Sequence, residues 1–342
     1  MPPRADRPIS RFLALPSLSL SGRMDPLDFA IYRFLSPDGE ARFWAGRRLI
    51  DPTIPVRAIA DQVGISENGV RARLRGLSEL GFLRGRAVTP NPSLFGVRVF
   101  VQVVPVGSAG EAERVFRDLA LVDGVVFARD TLDEGQREVR AHFVSETEST
   151  TTRRAALIGR LSPTSRLRPP QLYWIPPCER ELSPLDWRLL QAFRAAPDAT
   201  VAAVAKTVRV SLKTTARRYH QMIDARACWW THGADAEEFP LALVRIELRD
   251  TESRPEVVGK IPKEASVWMP VASDGLGLEP GNVTTTIAGL VPADAPTVLE
   301  RLVTKLAGLP GVVSVRRTFA LGSRSYPEWF TERIAERVAV PS

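Results

Sequence analysis

Apolar side chains recur at helical spacing in two stretches of this chain that match each other. In the first stretch Leu27, Ile31, Phe34 and Leu35 form a stripe with the 3.6-residue period of a helix. The second shows the same stripe at Leu185, Leu189, Leu190 and Phe193. Pro26 and Pro184 stand where a first helical turn tolerates proline. Farther along, Val56, Ile59, Ala60, Val63, Ile65 and Ser66 correspond to Val201, Val204, Ala205, Val208, Val210 and Ser211. Arg73, Leu74 and Leu77 then correspond to Arg218, Tyr219 and Met222. The copies lie about 150 residues apart, and the first holds about 13 extra residues within 36–54.

Each copy predicts three helices with a tight turn between the second and the third. The second helices fall at 56–63 and 201–208. Gly64 follows the first, where a residue free to take positive φ is wanted; Arg209 stands there in the second copy, a less suitable turn residue. Ser66 and Ser211 are placed as N-caps of the third helices, read over 67–80 and 211–226. In the first copy Val70, Leu74 and Leu77 make the buried side, and Asn68, Arg71 and Arg75 the other, with Arg73 flanking. A strand and turn at 82–86, bearing Arg84 and Arg86, reads as a wing. The second copy offers Lys213, Thr214, Arg217, Arg218 and His220, and its residues 182–233 hold eight basic side chains to three acidic.

Helices of this kind bury one stripe and present the other to a major groove. Asn, Ser, Thr, Lys and Arg near the helix start reach base edges, and wing arginines meet phosphates. The candidate DNA-binding residues are therefore Ser66, Asn68, Arg71, Arg73, Arg75, Arg84, Arg86, Lys213, Thr214, Arg217 and Arg218. A basic helix face is also what a merely solvated surface looks like; it is the repetition of the whole pattern that favours duplex DNA as the partner.

Between and after the copies the pattern changes. Residues 97–106 form a β-branched run, 109–121 have helical spacing, 124–127 and 138–144 read as strands, 146–161 as a helix and 171–175 as a strand. The order β-α-β-β-α-β is the ferredoxin-like arrangement. It recurs as strands at 241–248, 266–271, 283–290 and 312–320, with helices at 254–261 and 295–307. An extra amphipathic helix at 326–338 carries Trp329, Phe330 and Ile334 on one side. Two helices cover one face of such a sheet, and the other face, left apolar, wants a partner in cis or from a second chain. The predicted fold class is α+β, with tandem winged helix-turn-helix and ferredoxin-like domains. Its divisions are a flexible arm at 1–23, a winged helix-turn-helix at 24–94, a ferredoxin-like domain at 95–177, a second winged helix-turn-helix at 178–238 and a second ferredoxin-like domain with a C-terminal helix at 239–342.

Composition narrows the partners. The formal net charge is +7, which favours polyanions. Five of the 46 basic residues are Lys, an arginine excess that fits either genome bias or use of the guanidinium on phosphate and guanine. Cys178 and Cys228 are the only cysteines; there is no CxxC and no Cys/His cluster. Neither a structural metal nor a disulfide framework is expected, which fits a reducing cytoplasm. No apolar run is long enough to span a membrane, and 1–23, rich in Pro and Arg, does not read as a signal peptide. No Walker loop, GxSxG elbow, HExxH helix or GxGxxG fingerprint occurs, so no cofactor and no enzymatic activity are expected. Gly275-Leu276-Gly277 reads as a turn. Trp44, Arg47 and Arg48 in the inserted stretch are read as packing on the first module or as an added contact.

These residues resemble the Lrp/AsnC family of regulators. The carriers are Leu27-Asp28-x-x-Ile31, Ile59-Ala60-x-x-Val63-Gly64-Ile65-Ser66, Val70-x-x-Arg73-Leu74-x-x-Leu77-x-x-Leu80-Gly81 and Gly124-Val125-Val126. The second copy carries Leu185-Asp186, Val204-Ala205-x-x-Val208, Ser211 and Gly311-Val312-Val313. The resemblance covers 24–320 as two fused units. It implies DNA binding as a homodimer or pseudo-dimer through the ferredoxin-like sheets, and a small-molecule effector. Two departures stand out. Arg129-Asp130-Thr131-Leu132-Asp133 replaces the family's Gly-Asp-x-Asp stretch, and Cys228-Trp229-Trp230 occupies the second wing position, which marks the second copy as the more diverged. Two alternatives remain open: a siroheme decarboxylase-like enzyme, and a winged-helix scaffold for other proteins. For the enzyme, the Asn-His-Asn-Tyr-like stretch is not visible near Gln136-Arg137-Glu138, and the only histidines are His142, His220 and His232.

Overall fold

In the computed structural model the described residues are 56–80, 84–133, 135–163, 168–173, 177–233, 241–264, 269–271, 286–292 and 296–339, with Ile175 and single residues between 25 and 31. The arm 1–23, the inserted stretch 36–54 with Trp44, Arg47 and Arg48, the Gly275-Leu276-Gly277 turn, and Phe34 and Leu35 of the first stripe lie outside them.

The chain is mixed α/β on an antiparallel sheet. The first copy contributes α1 (Val56–Val63) and α2 (Glu67–Glu79), with Ile31, Ile59, Val63, Val70 and Leu77 buried together. The second contributes α5 (Pro184–Ala195), α6 (Val201–Val208) and α7 (Leu212–Asp224), with Leu189, Leu190, Phe193, Val204, Val208, Tyr219 and Met222 as its core. The two turns take the same conformation. Gly64 has φ 76, and Arg209 has φ 59 with ψ 48. A non-glycine residue pays roughly 1–2 kcal/mol for that left-handed backbone, so the second turn is formed at a cost the first avoids.

The sheet unit after the first copy is built from β2 (Arg98–Pro105), α3 (Ala109–Leu119), β3 (Val125–Asp133), β4 (Gln136–Ser145), α4 (Glu148–Gly159) and β5 (Gln171–Tyr173). Side-chain oxygens of Ser108 and Thr147 cap its helices. The unit after the second copy has β7 (Leu241–Leu248), α8 (Arg254–Glu264), β8 (Met269–Val271), β9 (Thr286–Pro292), α9 (Pro296–Ala307) and β10 (Val312–Ser325). Strand order across the whole is β5-β2-β4-β3-β10-β7-β9-β8. Each unit thus repeats the same internal order, fourth-first-third-second.

The two units join edge to edge through β10. Its first part pairs with β7, from Val312 with Leu248 to Ala320 with Leu241. Its second part pairs with β3, from Thr318 with Asp133 to Ser325 with Phe127. The similarity between Gly124-Val125-Val126 and Gly311-Val312-Val313 therefore aligns the second strand of one unit with the fourth of the other. Gly124, at φ +82, has the Arg154 guanidinium 2.7 Å from where a Cβ would stand. That space is needed because Arg154 crosses there to Asp123 and the Val144 carbonyl.

The face of the first unit not covered by α3 and α4 is occupied from within the chain. The C-terminal helix α10 (Glu328–Ala339) and Trp229 cover it, placing Trp329 and Phe330 against Phe95, Val99, Val101, Phe127, Val144 and Tyr173. Aromatic contacts at ring separations of 5.5 Å (Phe95–Trp329) and 5.9 Å (Phe95–Phe330) hold that helix down. Burying such a ring stabilises by about 1.5–3 kcal/mol. The partner expected for the open apolar face is thus supplied in cis for this unit.

The wing regions differ from expectation. β1 (Arg84–Pro90) and β6 (Cys228–Gly233) pair with each other, antiparallel, from Arg84 with Gly233 to Pro90 with Cys228. Among the described residues neither copy builds a two-stranded wing of its own; the two copies share one ribbon. Val88 of β1 enters the core of the second copy.

Candidate nucleic-acid interface

The two copies fasten their third helix in the same way. In the second, Ser183 caps α5 and Asp186 closes a capping box with it. The buried Asp186 carboxylate accepts from the Ser183 amide at 3.0 Å and the Arg180 guanidinium at 2.7 Å, and Arg218 of α7 stands 3.5 Å away. In the first, the Asp28 carboxylate accepts from the Asp25 amide at 3.0 Å and from Arg73 of α2 at 2.8 Å, while Asp25 accepts from Arg73 at 2.7 Å. Burial alone would raise the Asp25 pKa, but hydrogen bonds from Arg73, Asp28 and Leu27 outweigh it and hold the carboxyl below its usual 3.8. Arg73 and Arg218 occupy equivalent positions and are both engaged with acids at the start of the first helix. They hold the third helix in place instead of facing outward.

Of the other sequence-derived candidates, Ser66 and Ser211 are N-caps as expected, accepting from the amides of Gly69 and Thr214. The Thr214 hydroxyl accepts from Ser211 at 2.9 Å and so belongs to the cap. Asn68, Arg71 and Arg75 lie exposed on α2. Arg71 donates to Glu67 at 2.7 Å and to Asn68 at 3.3 Å, so the charge nearest the helix start carries its own counter-charge. On α7, Lys213 and Arg217 are exposed, and among the described residues neither forms an ion pair. Arg84 and Arg86 lie on β1, opposite Gly233 and His232 of β6; their side chains are outside what is described.

Three neighbours were not among the sequence-derived candidates. Lys206 on α6 and Arg209 in the turn are exposed and, among the described residues, form no ion pair. Leu212, the first residue of α7, is 54% exposed. The signal for the two cations was their place in the turn and the helix before it, which the groove-facing pattern of the third helix does not score. The second copy therefore presents exposed Lys206, Arg209, Lys213 and Arg217 from the end of α6 through the start of α7, with Leu212 exposed beside Lys213. The first presents Arg75 and an internally paired Arg71.

A second polar cluster lies on the sheet. Phe127, Arg129 and Thr131 of β3 stand opposite His142, Arg140 and Glu138 of β4. His142 packs edge-on against Phe127 at 5.5 Å and Tyr173 at 5.0 Å. Arg140 reaches Glu138 at 3.2 Å and Asp133 at 3.4 Å. Burial, with the Arg140 charge nearby, lowers the pKa of both Arg129 and Arg245, the latter on β7. Among the described residues no group of three or more His, Cys, Asp or Glu is placed to hold a metal ion. No described helix is long and apolar enough to cross a membrane.

No family model matches the chain, and no curated protein does. Among solved structures, the siroheme decarboxylase NirDL is similar over 91% of this chain and 98% of its own, at 11% identity and a TM-score of 0.45. A second structure of that enzyme, in co-complex with an iron-uroporphyrin III analogue, covers 91% of this chain and 99% of its own at 12% identity and TM-score 0.43. AsnC of E. coli is similar over 42% of this chain and 93% of its own, at 18% identity and TM-score 0.29. Against the sequence-based expectation of a chain without enzymatic activity, the two structures similar along 91% of its length are those of an enzyme.

Proposed function

We propose that this chain is a sequence-specific DNA-binding transcriptional regulator whose second helix-turn-helix supplies most of the grip on double-stranded DNA. The observation that carries the reading is the set of four exposed cations, Lys206, Arg209, Lys213 and Arg217, at the end of α6, in the turn and along the first turns of α7, without an acidic partner among the described residues. Unneutralised cations of this kind release counterions when they meet phosphates. Lys213 and Arg217, near the start of the third helix, are positioned for base edges and the adjoining backbone, and Leu212 for a thymine methyl group. In the first module Asn68, Arg71 and Arg75 make a weaker reading surface. Arg84 and Arg86 are kept as phosphate contacts from the ribbon strand.

In this reading the divisions at 24–94, 95–177, 178–238 and 239–342 are two DNA-facing modules, each followed by a ferredoxin-like domain. The shared ribbon and the continuous sheet support the reading of one chain as a pseudo-dimer, and a homodimer would present four modules. A small-molecule effector acting through the sheet domains completes the Lrp/AsnC-type scheme. The test is selection of bound fragments from genomic DNA by the purified chain, followed by binding of the selected duplex to K213Q/R217Q. Loss of the enriched sequence in that variant supports the reading; an unchanged enrichment overturns it.

A second reading is favoured by the sheet cluster: Arg129 and Arg140 pair across β3 and β4 two residues from His142, and Arg245 feels the Arg140 charge, guanidinium groups of the kind a tetrapyrrole bearing carboxylates would need. Adding siroheme to the purified chain and recording its visible spectrum tests this. A Soret shift lost in Arg140→Gln supports a tetrapyrrole site, and an unshifted spectrum removes it.

A further inference from the structure

The C-terminal helix α10 does not seal completely against the second helix module. Between α5, the end of α6 and α10 lies a groove of about 730 Å³. Its apolar wall is made by Ala192, Val208, Ile334 and Val338. Its polar lining includes two guanidinium groups, Arg188 and Arg194, and no carboxylate among the described lining residues.

Arg194 is the unusual group. It bridges three parts of the fold, donating to the Val88 carbonyl at 2.8 Å, the Pro327 carbonyl at 3.3 Å and the Thr331 hydroxyl at 3.1 Å. Its guanidinium lies 5.9 Å from the centre of the Phe330 ring. Burial pushes its pKa down to about 10. Dipoles accept three hydrogen bonds from it, leaving other N–H groups for a ligand, and among the described residues no acid neutralises its charge. Arg188, exposed at the rim, donates one nitrogen to the Val208 carbonyl at 2.8 Å. Desolvated charge is ordinarily paired, because an unpaired one loses hydration without compensation. A concave, mostly apolar site with a few fixed polar groups is the usual form of a small-molecule pocket, and ~300–1,000 Å³ is its usual size.

We propose that this groove binds a small carboxylic acid with an apolar body. The carboxylate sits between Arg188 and Arg194, whose planar groups suit its geometry, and supplies the counter-charge they lack. The hydrocarbon part lies along Ala192, Ile334 and Val338. The inference stands apart from the DNA reading, since the groove and its charges exist whatever the third helices contact.

The test is calorimetric titration of the full chain with octanoate and with 4-phenylbutyrate, and with octanamide as the uncharged match. Saturable binding of at least one acid, and none of the amide, is expected. Arg188→Gln should weaken that binding about ten-fold or more, the size of one lost charge-assisted contact. Ala192→Leu should abolish it by filling the groove, with the far-ultraviolet circular dichroism unchanged. Arg188 is exposed, so R188Q remains informative if A192L does not fold. Failure of both acids to bind, equal binding of octanamide, or unweakened binding to R188Q overturns the proposal.

Discussion

The two helix modules share a frame and differ in their surfaces. Both cap the first helix with an acid-bearing turn and tie the third helix to it through an arginine, Arg73 in one and Arg218 in the other. Outside that frame they part. The first closes its turn with Gly64 and pairs Arg71 with Glu67. The second closes its turn with the strained Arg209 and leaves its cations exposed. Departure from turn chemistry in the second copy marks it as diverged in sequence, yet its backbone is intact and its surface is the more basic. A cationic residue held at positive φ in a turn beside the third helix costs stability and adds charge there, which is the trade expected of a functional position.

The largest expected difference lies in the frame. Asp186 is fully buried and serves Arg180, Ser183 and Arg218, so Asp186→Asn should lower stability by about 3 kcal/mol, the low end for a broken buried pair because both arginines still reach water. Asp28→Asn should cost only about 1 kcal/mol, since Arg73 keeps Asp25. Chemical denaturation of the two variants reads the gap directly, and equal losses would erase this distinction between the modules.

Next come the turns. Gly64→Ala should destabilise by roughly 1–2 kcal/mol through the Cβ penalty of left-handed backbone. Arg209→Gly should do the opposite, a gain of up to about 1 kcal/mol, while weakening DNA binding. A variant that is both more stable and a poorer binder would locate the strain at a working residue. A loss of stability would show that Arg209 does more for the fold than fill a turn.

The smallest effect is in acid. With its folded pKa held below the usual 3.8, Asp25 contributes stability that is fully present above about pH 4 and is lost as the pH falls through the depressed value. Asp25→Asn should flatten that part of the stability curve, measured by denaturant unfolding between about pH 5 and pH 2. An unchanged curve would mean that other carboxylates dominate there.

Local features were legible in the sequence, and distant pairings were not. Ser66 and Ser211 could be read as caps because a cap is completed within three residues. Strand β3 was expected at 124–127 but runs to Asp133, because Arg129, Asp130 and Asp133 look like a loop until their partners on β4 are known. Strand β10 was expected to end at 320 and continues to Ser325, its extension specified only by β3, far back in the chain. The shared ribbon is illegible in the sequence for the same reason, since β1 finds its hydrogen bonds in β6 of the other copy. In the candidate site, Lys213 and Arg217 were readable from helical phase. The inward engagement of Arg73 and Arg218 was not, because it depends on an acid about 30–50 residues earlier in each copy. Arg73 and Arg218 therefore leave the set proposed to touch DNA.

Fluorescence anisotropy with a labelled duplex across a salt series tests the central claim most directly. The expected result is a steep salt dependence for the parent chain that falls by about 0.9 in slope for each cation removed among Lys206, Arg209, Lys213 and Arg217. Arg71→Gln should leave the slope nearly unchanged, because Glu67 already neutralises it. A parent chain whose affinity ignores salt, or a slope that responds to Arg71 and not to Lys213 or Arg217, would contradict the assignment of the second module as the main DNA-gripping surface.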